Sequence, residues 1–174
     1  PAKTWTEYLN RLAGVLAGIF LLLTAVYSFI YKRQAKRIIV LSILNVFVVG
    51  YQAWLGSIVV STNLMQWVVT VHMLLALVIL AISIYTYNYA KQLHKEPSVI
   101  MYRIAWLKGF LFFTLAVSIA QIVLGTEVRE AIDVISKSLL FNERNTWIAK
   151  VGSVFNYHRD LAILVVITNG VIYK

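Results

Sequence analysis

The sequence predicts an all-α fold, a polytopic membrane helical bundle. Of its 174 residues, 60% are hydrophobic and only 13% are charged, and the mean hydropathy is +0.78. Soluble domains are closer to half apolar and a quarter charged. Apolar runs of about 20 residues, long enough to cross a bilayer as helices, recur along the chain. We therefore expect an integral membrane protein.

The placement of charge predicts the orientation of these runs. Lys32, Arg33, Lys36 and Arg37 put four positive charges into one short segment, and the charged residues of 91–108 sum to +3. Basic loops of this kind face the cytoplasm. The N-terminus is therefore expected outside. The net charge of +9 is explained by these loops and forms no basic groove in water, so no nucleic-acid partner is expected.

The first two predicted spans run from about 12 to 31 and from about 38 to 60. In the first, Gly14 begins a GxxxG pair, which either admits a neighbouring helix closely or reflects the general frequency of glycine in membrane helices. In the second, Asn45 and Gln52 lie on one side. Amide side chains in this setting typically hydrogen-bond to another helix.

The third predicted span runs from about 67 to 89 and carries His72 about one turn inside its outer end. The fourth runs from about 104 to 124. After it, apolar residues recur at helical spacing beside charged ones within 125–153, a pattern typical of an amphipathic helix on the outer membrane surface. A fifth span is expected to begin near Val154.

Similar sequence segments occur twice and predict part of a duplicated four-helix-bundle architecture. The stretch 7–18 resembles 156–166, with Asn10-Arg11 aligned on His158-Arg159, and Gln-x-x-Leu-Gly occurs at 52–56 and at 121–125. The chain begins with Pro1, and we expect an internal piece of a longer protein. We divide it into most of a first bundle, 1–90, a cytoplasmic linker, 91–103, and the start of a second bundle, 104–174.

Polar and titratable residues gather at the outer ends of the predicted spans. They are Glu7, Asn10, Arg11, Gln52, His72, Arg129, His158 and Arg159. An ionisable group inside a membrane segment is a functional candidate by default. Three hypotheses remain open for His72 and His158: structural hydrogen bonding, a proton relay, and axial ligation of haem iron. A relay would need acidic residues within the spans, and none lies deep in any of them.

Haem ligation has two further supports in the residues. A four-helix bundle can hold the macrocycle between facing helices. Arginines at the membrane edge, here Arg11, Arg129 and Arg159, suit its propionates as bidentate partners. The chain has no cysteine, which excludes thioether-linked haem and any disulfide or thiolate metal site within it.

Five stretches of the sequence, in this order, resemble the heme A synthase family of bacterial plasma membranes. They are EYLNRLAG, QAWLG, VVTVHMLLALVI, QIVLGTEVREAID and NYHRDLAI. The resemblance covers essentially the whole chain. It implies an eight-span protein that oxidises the methyl group of haem O to the formyl group of haem A by successive hydroxylations, for use by cytochrome oxidase. It implies haem b as cofactor and haem O as substrate.

The resemblance also implies partners and roles. The implied partners are the lipid bilayer, heme O synthase and a quinone or other electron acceptor, and a homo-oligomer is compatible with it. His72 and His158 correspond to iron ligands, with Arg129 and Arg159 beside the cofactor. Asn10 stands where many members have histidine, within a Glu-x-x-His-Arg motif.

Glu7 and Arg11 of the same motif are the candidate catalytic residues. Glu7 is a candidate for acid/base catalysis or electrostatic stabilisation near the substrate. The alternative is a simple i,i+4 ion pair with Arg11. A second hypothesis for the whole protein is a non-enzymatic b-type di-haem membrane electron carrier, which would bind haem without changing it.

Overall fold

The computed structural model describes residues 2–62, 65–93 and 104–173 and is all α-helical over these ranges, as predicted. It contains α1 Ala2–Ser28, α2 Lys36–Ser61, α3 Gln66–Gln92, α4 Ile104–Ser138, α5 Trp147–Val151 and α6 Ser153–Tyr173, with 3₁₀ turns at Phe29–Arg33 and Arg144–Thr146. Residues 94–103, including His94, lie outside the described ranges.

Among the described residues, four helical segments are long and apolar enough to cross a membrane. They are Trp5–Arg33, Lys36–Ser61, Gln66–Gln92 and Trp106–Ser138. Their side chains are mostly exposed, for example Phe112 at 75%. Large apolar side chains left exposed in this number would be unfavourable in water but are at no disadvantage against lipid. The first four predicted spans are thereby confirmed as apolar helices, and the chain is a multi-pass membrane protein.

The fifth predicted span corresponds to α6, which has 21 residues, about the length needed to cross a bilayer. It is not among the helices that are apolar enough by composition. The reason lies in its first two turns, which contain Asn156, His158, Arg159 and Asp160. A membrane-spanning α6 therefore stays a prediction.

The segment after Leu124 differs from the sequence-based expectation. We expected a loop containing its own amphipathic helix, but α4 continues without interruption for 35 residues to Ser138. No proline occurs between 104 and 138, and the isolated Gly125 does not break the helix. At about 1.5 Å per residue, α4 exceeds the ~30 Å hydrocarbon core of a bilayer. The periodic pattern that we assigned to a separate helix therefore belongs to the last turns of α4.

Two unusual backbone features end α4 and separate the short helix α5 from α6. Leu140 and Phe141 adopt positive φ angles of 49° and 62°, and the Phe141 N–H donates to the Ser136 carbonyl at 2.7 Å, which closes the C-terminus of α4. Gly152 has φ +75°, a conformation that glycine adopts without strain. The chain can therefore turn directly from α5 into α6.

By its internal contacts the chain divides into two compact units. Unit 1 comprises Pro1–Ser61 and Leu75–Ser98, and unit 2 comprises Thr62–Leu74 and Val99–Lys174. The first nine residues of α3, 66–74, thus group with α4 and α6 rather than with α1 and α2. The predicted division into two bundles joined by a linker at 91–103 stays a prediction, because most of that linker lies outside the described residues.

In unit 1, α2 contacts both α1 and α3. Gly18 of α1 lies against Val49, whose Cγ1 would be 3.7 Å from a Cβ at that position. The buried Asn45 donates from Nδ2 to Ser83 Oγ of α3 at 2.7 Å. The predicted interhelical hydrogen bond of Asn45 is therefore present, and it ties α2 to α3 within this unit.

The Asn45–Ser83 hydrogen bond should contribute measurably to stability. Interhelical hydrogen bonds in membrane proteins contribute about 0.6 kcal/mol on average and up to ~1.7 kcal/mol. A double-mutant cycle of Asn45→Ala and Ser83→Ala, followed by reversible unfolding in mixed micelles, should give a coupling energy in this range. Ser57→Ala serves as control, because that hydroxyl bonds only to the Trp54 carbonyl of its own helix. A coupling energy of zero would contradict the assignment.

Candidate functional site: a histidine-lined cleft in unit 2

His158 lies on α6, about two turns from its start, and its ring packs against α4 within unit 2. The ring is half-buried. Its Nδ1 atom is fully buried and has no hydrogen-bond partner among the described residues. A buried polar atom without a partner is rare in folded proteins and calls for a specific explanation.

Gly125 of α4 gives the His158 ring its space. A Cβ atom at this position would be 3.1 Å from His158 Cε1, 3.7 Å from Nδ1 and 3.9 Å from Nε2. Any side chain larger than hydrogen would therefore meet the ring. The absence of a side chain at Gly125 allows α6 to place an imidazole directly on the surface of α4.

Two polar residues flank Gly125 on the same face of α4. Gln121 precedes it by four residues and Arg129 follows it by four, so the three lie one above the other along the helix. The Gln121 Nε2 atom is 3.4 Å from His158 Nε2. Gln121 Oε1, like His158 Nδ1, is buried and has no hydrogen-bond partner in the described part of the chain.

Together with the start of α3, these residues line a partly open cleft of about 340 Å³. It is lined by Val69, Met73, Gln121, Ile122, Gly125, Thr126, Arg129 and His158. A hydrogen bond of 2.6 Å between the Thr70 and Thr126 hydroxyls fixes α3 to α4 beside it. The volume is at the lower end of the range of about 300–1,000 Å³ typical of small-molecule and cofactor sites.

The residues of this cleft fit one edge of a haem. Its accessible surface is mainly apolar, and His158 and Arg129 bring an imidazole and a guanidinium to the same cleft. A neutral imidazole is a strong axial ligand of haem iron, and guanidinium groups pair with carboxylates in bidentate fashion. Within the described ranges, no three His, Asp or Glu side chains form a metal cluster. Haem ligation needs only one or two imidazoles.

One known protein family matches almost the whole chain. The family model described as cytochrome oxidase assembly protein, COX15-CtaA, matches residues 1–172. The chain belongs to this family. The match confirms the resemblance that the sequence motifs indicated, and it covers both units. Searches of the curated proteins and of the solved structures gave no significant match.

The other predicted site residues are distributed between the two units. In unit 1, Glu7 and Arg11 form an ion pair at 2.7 Å with exposed side chains, and Asn10 is exposed between them. The ion pair that we considered as an alternative for Glu7 is therefore present. An exposed pair of this kind contributes at most a few tenths of a kcal/mol to stability, so it does not by itself explain the motif.

In unit 2, His158 and Arg129 line the same cleft, whereas Arg159 and His72 do not. Arg159 forms an exposed ion pair with the neighbouring Asp160 at 3.0 Å. His72 is half-buried on α3, directly before the cleft residue Met73. The predicted cofactor residues of this unit are thus brought together only in part.

The sequence-based analysis identified Gln121 and Gly125 as a repeat motif without recognising that they contact His158. Their spacing with Arg129, at i, i+4 and i+8, indicated a common helix face. The position of α6 across that face could not be deduced from spacing within α4. Val69 and Met73 gave no indication of a site, because both are ordinary residues of an apolar helix.

Substitution of Gly125 tests the packing of the His158 ring. In Gly125→Ala the new methyl group would be 3.1 Å from His158 Cε1, and overpacking of this kind costs about 1–3 kcal/mol. Gly109→Ala is the matched control on the same helix, because nothing lies within 4 Å of its Cβ position. We expect Gly125→Ala to lower the free energy of unfolding and to shift the imidazole NMR signals of His158. Equal behaviour of the two variants would contradict this geometry.

Proposed function

We propose that the protein is a heme A synthase, which oxidises the methyl group of haem O to the formyl group of haem A. Membership of a cytochrome oxidase assembly family supports a role in supplying that haem. The observation that carries the proposal is the half-buried imidazole of His158, which packs against Gly125 of α4. It belongs to an apolar cleft that also contains Arg129.

In this proposal His158 binds haem iron, and Arg129 pairs with a propionate. The apolar residues Val69, Met73 and Ile122 exclude water from the macrocycle. Exclusion of water strengthens the Arg129–carboxylate attraction, since charges interact more strongly in a low dielectric. A bound haem b would supply one-electron transfer. The chain's own contribution is to hold the cofactor and fix its orientation.

For the other haem-binding site we propose His72 as the iron ligand. Asn10 occupies the position that is histidine in many family members, and an amide is a poor ligand for iron. In unit 1, Glu7 would act in proton transfer near the substrate, and Arg11, held to it by an ion pair, would bind a propionate. In unit 2, Arg159 is proposed as a further propionate partner.

The proposed setting is a bacterial plasma membrane, with the N-terminus of the chain outside. Two features support this orientation. The basic segment 32–37 is expected on the cytoplasmic side, and His72 and His158 lie near the N-terminal ends of α3 and α6, which this orientation places outside. Haem O would come from a heme O synthase, and electrons would pass to a quinone or another acceptor.

The proposed activity is tested by the pigment that the protein produces. Cells that make haem O but lack a heme A synthase should accumulate haem A when they express the full-length protein. Haem extraction and mass spectrometry distinguish the products, since conversion of methyl to formyl adds one oxygen and removes two hydrogens. If the purified protein contains only haem b and no haem A forms, the b-type electron carrier is the better assignment.

The histidines of this chain should differ in their effect on pigment binding. We expect His158→Ala and His72→Ala each to remove most of the absorbance of one haem, because each takes away an imidazole ligand. His94→Ala, in the lysine-rich inner loop, is the matched control and should leave the spectrum unchanged. The absorption spectrum of the purified full-length protein is the measurement. Retention of full absorbance in both His158→Ala and His72→Ala would exclude these residues as ligands.

A further inference from the structure

Lysine and arginine residues cluster at one end of unit 1, around the end of α1, the start of α2 and the end of α3. This basic cluster consists of Lys32, Arg33, Lys36, Arg37 and Lys91, all of them exposed. Among the described residues, none of the five takes part in an ion pair. The described part of the chain therefore leaves the positive charge of the cluster without a counter-charge.

The one acidic side chain among the described residues of unit 1 is too far away to balance the cluster. It is Glu7, which pairs with Arg11 and precedes the end of α1 by about six turns, or ~30 Å. At physiological ionic strength, charges are screened over about 8 Å. Glu96 lies outside the described ranges, and even with it the segments 32–37 and 91–108 carry +4 and +3.

Arg37 is held at the junction of α2 and α3 by an aromatic ring. Its Cζ atom lies 5.8 Å from the centre of the Tyr89 ring, which is within the range of a cation–π interaction. Tyr89 in turn stacks on Tyr85, with ring centres 6.3 Å apart. The contact orders the guanidinium but leaves the residue exposed. An ordered, exposed guanidinium is suited to bind a phosphate through two parallel hydrogen bonds.

Apolar side chains lie directly beside the cations. Phe29 and Ile30 belong to the same 3₁₀ turn as Lys32 and Arg33 and are 53% and 76% exposed. A free phosphate ion or an acidic segment of a soluble protein would leave this apolar surface in water, which is unfavourable. A phospholipid covers it with an acyl chain while its phosphate meets the cations. The combination therefore favours a lipid as the ligand.

We propose that this end of unit 1 is a binding site for the headgroup of an anionic phospholipid. The phosphate binds at Lys36 and Arg37, and an acyl chain lies along Phe29 and Ile30. Basic pockets between membrane helices are known to bind such headgroups. In the proposed orientation the lipid belongs to the cytoplasmic leaflet. The binding itself depends neither on that orientation nor on haem chemistry.

Native mass spectrometry of the detergent-solubilised full-length protein tests the site. The protein is titrated with phosphatidylglycerol or with phosphatidylcholine of the same acyl chains, since both carry a phosphate but only the first has a net negative charge. We expect tighter binding of phosphatidylglycerol. Lys36→Gln and Arg37→Gln should each weaken that binding about fivefold. Equal affinity for the two lipids, or unchanged binding in both variants, would overturn the proposal.

Lys91→Gln is the matched control for position. It removes the same charge at the same end of the unit, but Lys91 lies two residues beyond Tyr89 and therefore on a different side of α3. Its Nζ atom lies 5.8 Å from the centre of the Tyr87 ring instead. We expect Lys91→Gln to weaken phosphatidylglycerol binding much less than Arg37→Gln does. Equal losses would indicate diffuse attraction to all the cations and would overturn a defined site.

A second pair of measurements distinguishes a lipid from a free anion. Inorganic phosphate in excess, at constant ionic strength, should not displace phosphatidylglycerol, because it has no acyl chain. Ile30→Ser, which changes no charge, should weaken phosphatidylglycerol binding, whereas Val15→Ser, at a residue of α1 that is 60% exposed and far from the cluster, should not. Displacement by phosphate, or equal binding by these two variants, would overturn the assignment to a lipid.

Discussion

A polar side chain within a membrane helix needs a partner, because lipid offers no hydrogen bonds. Many hydroxyls in this chain bond to a carbonyl of their own helix, as Thr86 does with Ile82 and Thr168 with Leu164. A few polar groups instead bond across helices, and these contacts fix how the helices meet. Asn45 with Ser83 does so in unit 1, and Thr70 with Thr126 does so in unit 2.

The same constraint applies to the cleft around His158, where polar side chains of α4 and α6 meet. Here two buried polar atoms, His158 Nδ1 and Gln121 Oε1, have no hydrogen-bond partner within the described residues. Leaving such a group unsatisfied costs about 1–3 kcal/mol, and lipid offers no alternative hydrogen-bond partner. Buried polar atoms without a partner among the described residues also occur at Ser42, Asn45 and Thr114, so the cleft is distinguished by its open volume and by the imidazole and guanidinium that line it. Apolar walls from α3 and α4, with polar atoms concentrated at one point, are typical of cofactor sites.

Most of the helices could be predicted, because each depends on a local property of the sequence. Runs of apolar residues gave α2 and α3 to within a few residues. The end of α4 could not be predicted in this way, since an amphipathic pattern after Leu124 is equally compatible with a new helix and with the continuation of the old one. Only the continuous hydrogen bonding to Ser138 distinguishes the two. The short helix α5 likewise depends on the positive φ of Gly152, which composition does not reveal.

The sequence by itself determined the membrane class, the family and the identity of the candidate ligands. These follow from hydropathy, charge placement and motifs, all of which are read along the chain. The tertiary structure decided which of the candidates meet. His158 and Arg129 share a cleft, whereas Arg159 pairs with Asp160 away from it. The reason is geometric: the neighbours of a helical side chain depend on the rotation and position of a second helix, and no spacing within one helix specifies these. The contact of Gln121 and Gly125 with His158 is therefore visible only once α6 is packed on α4.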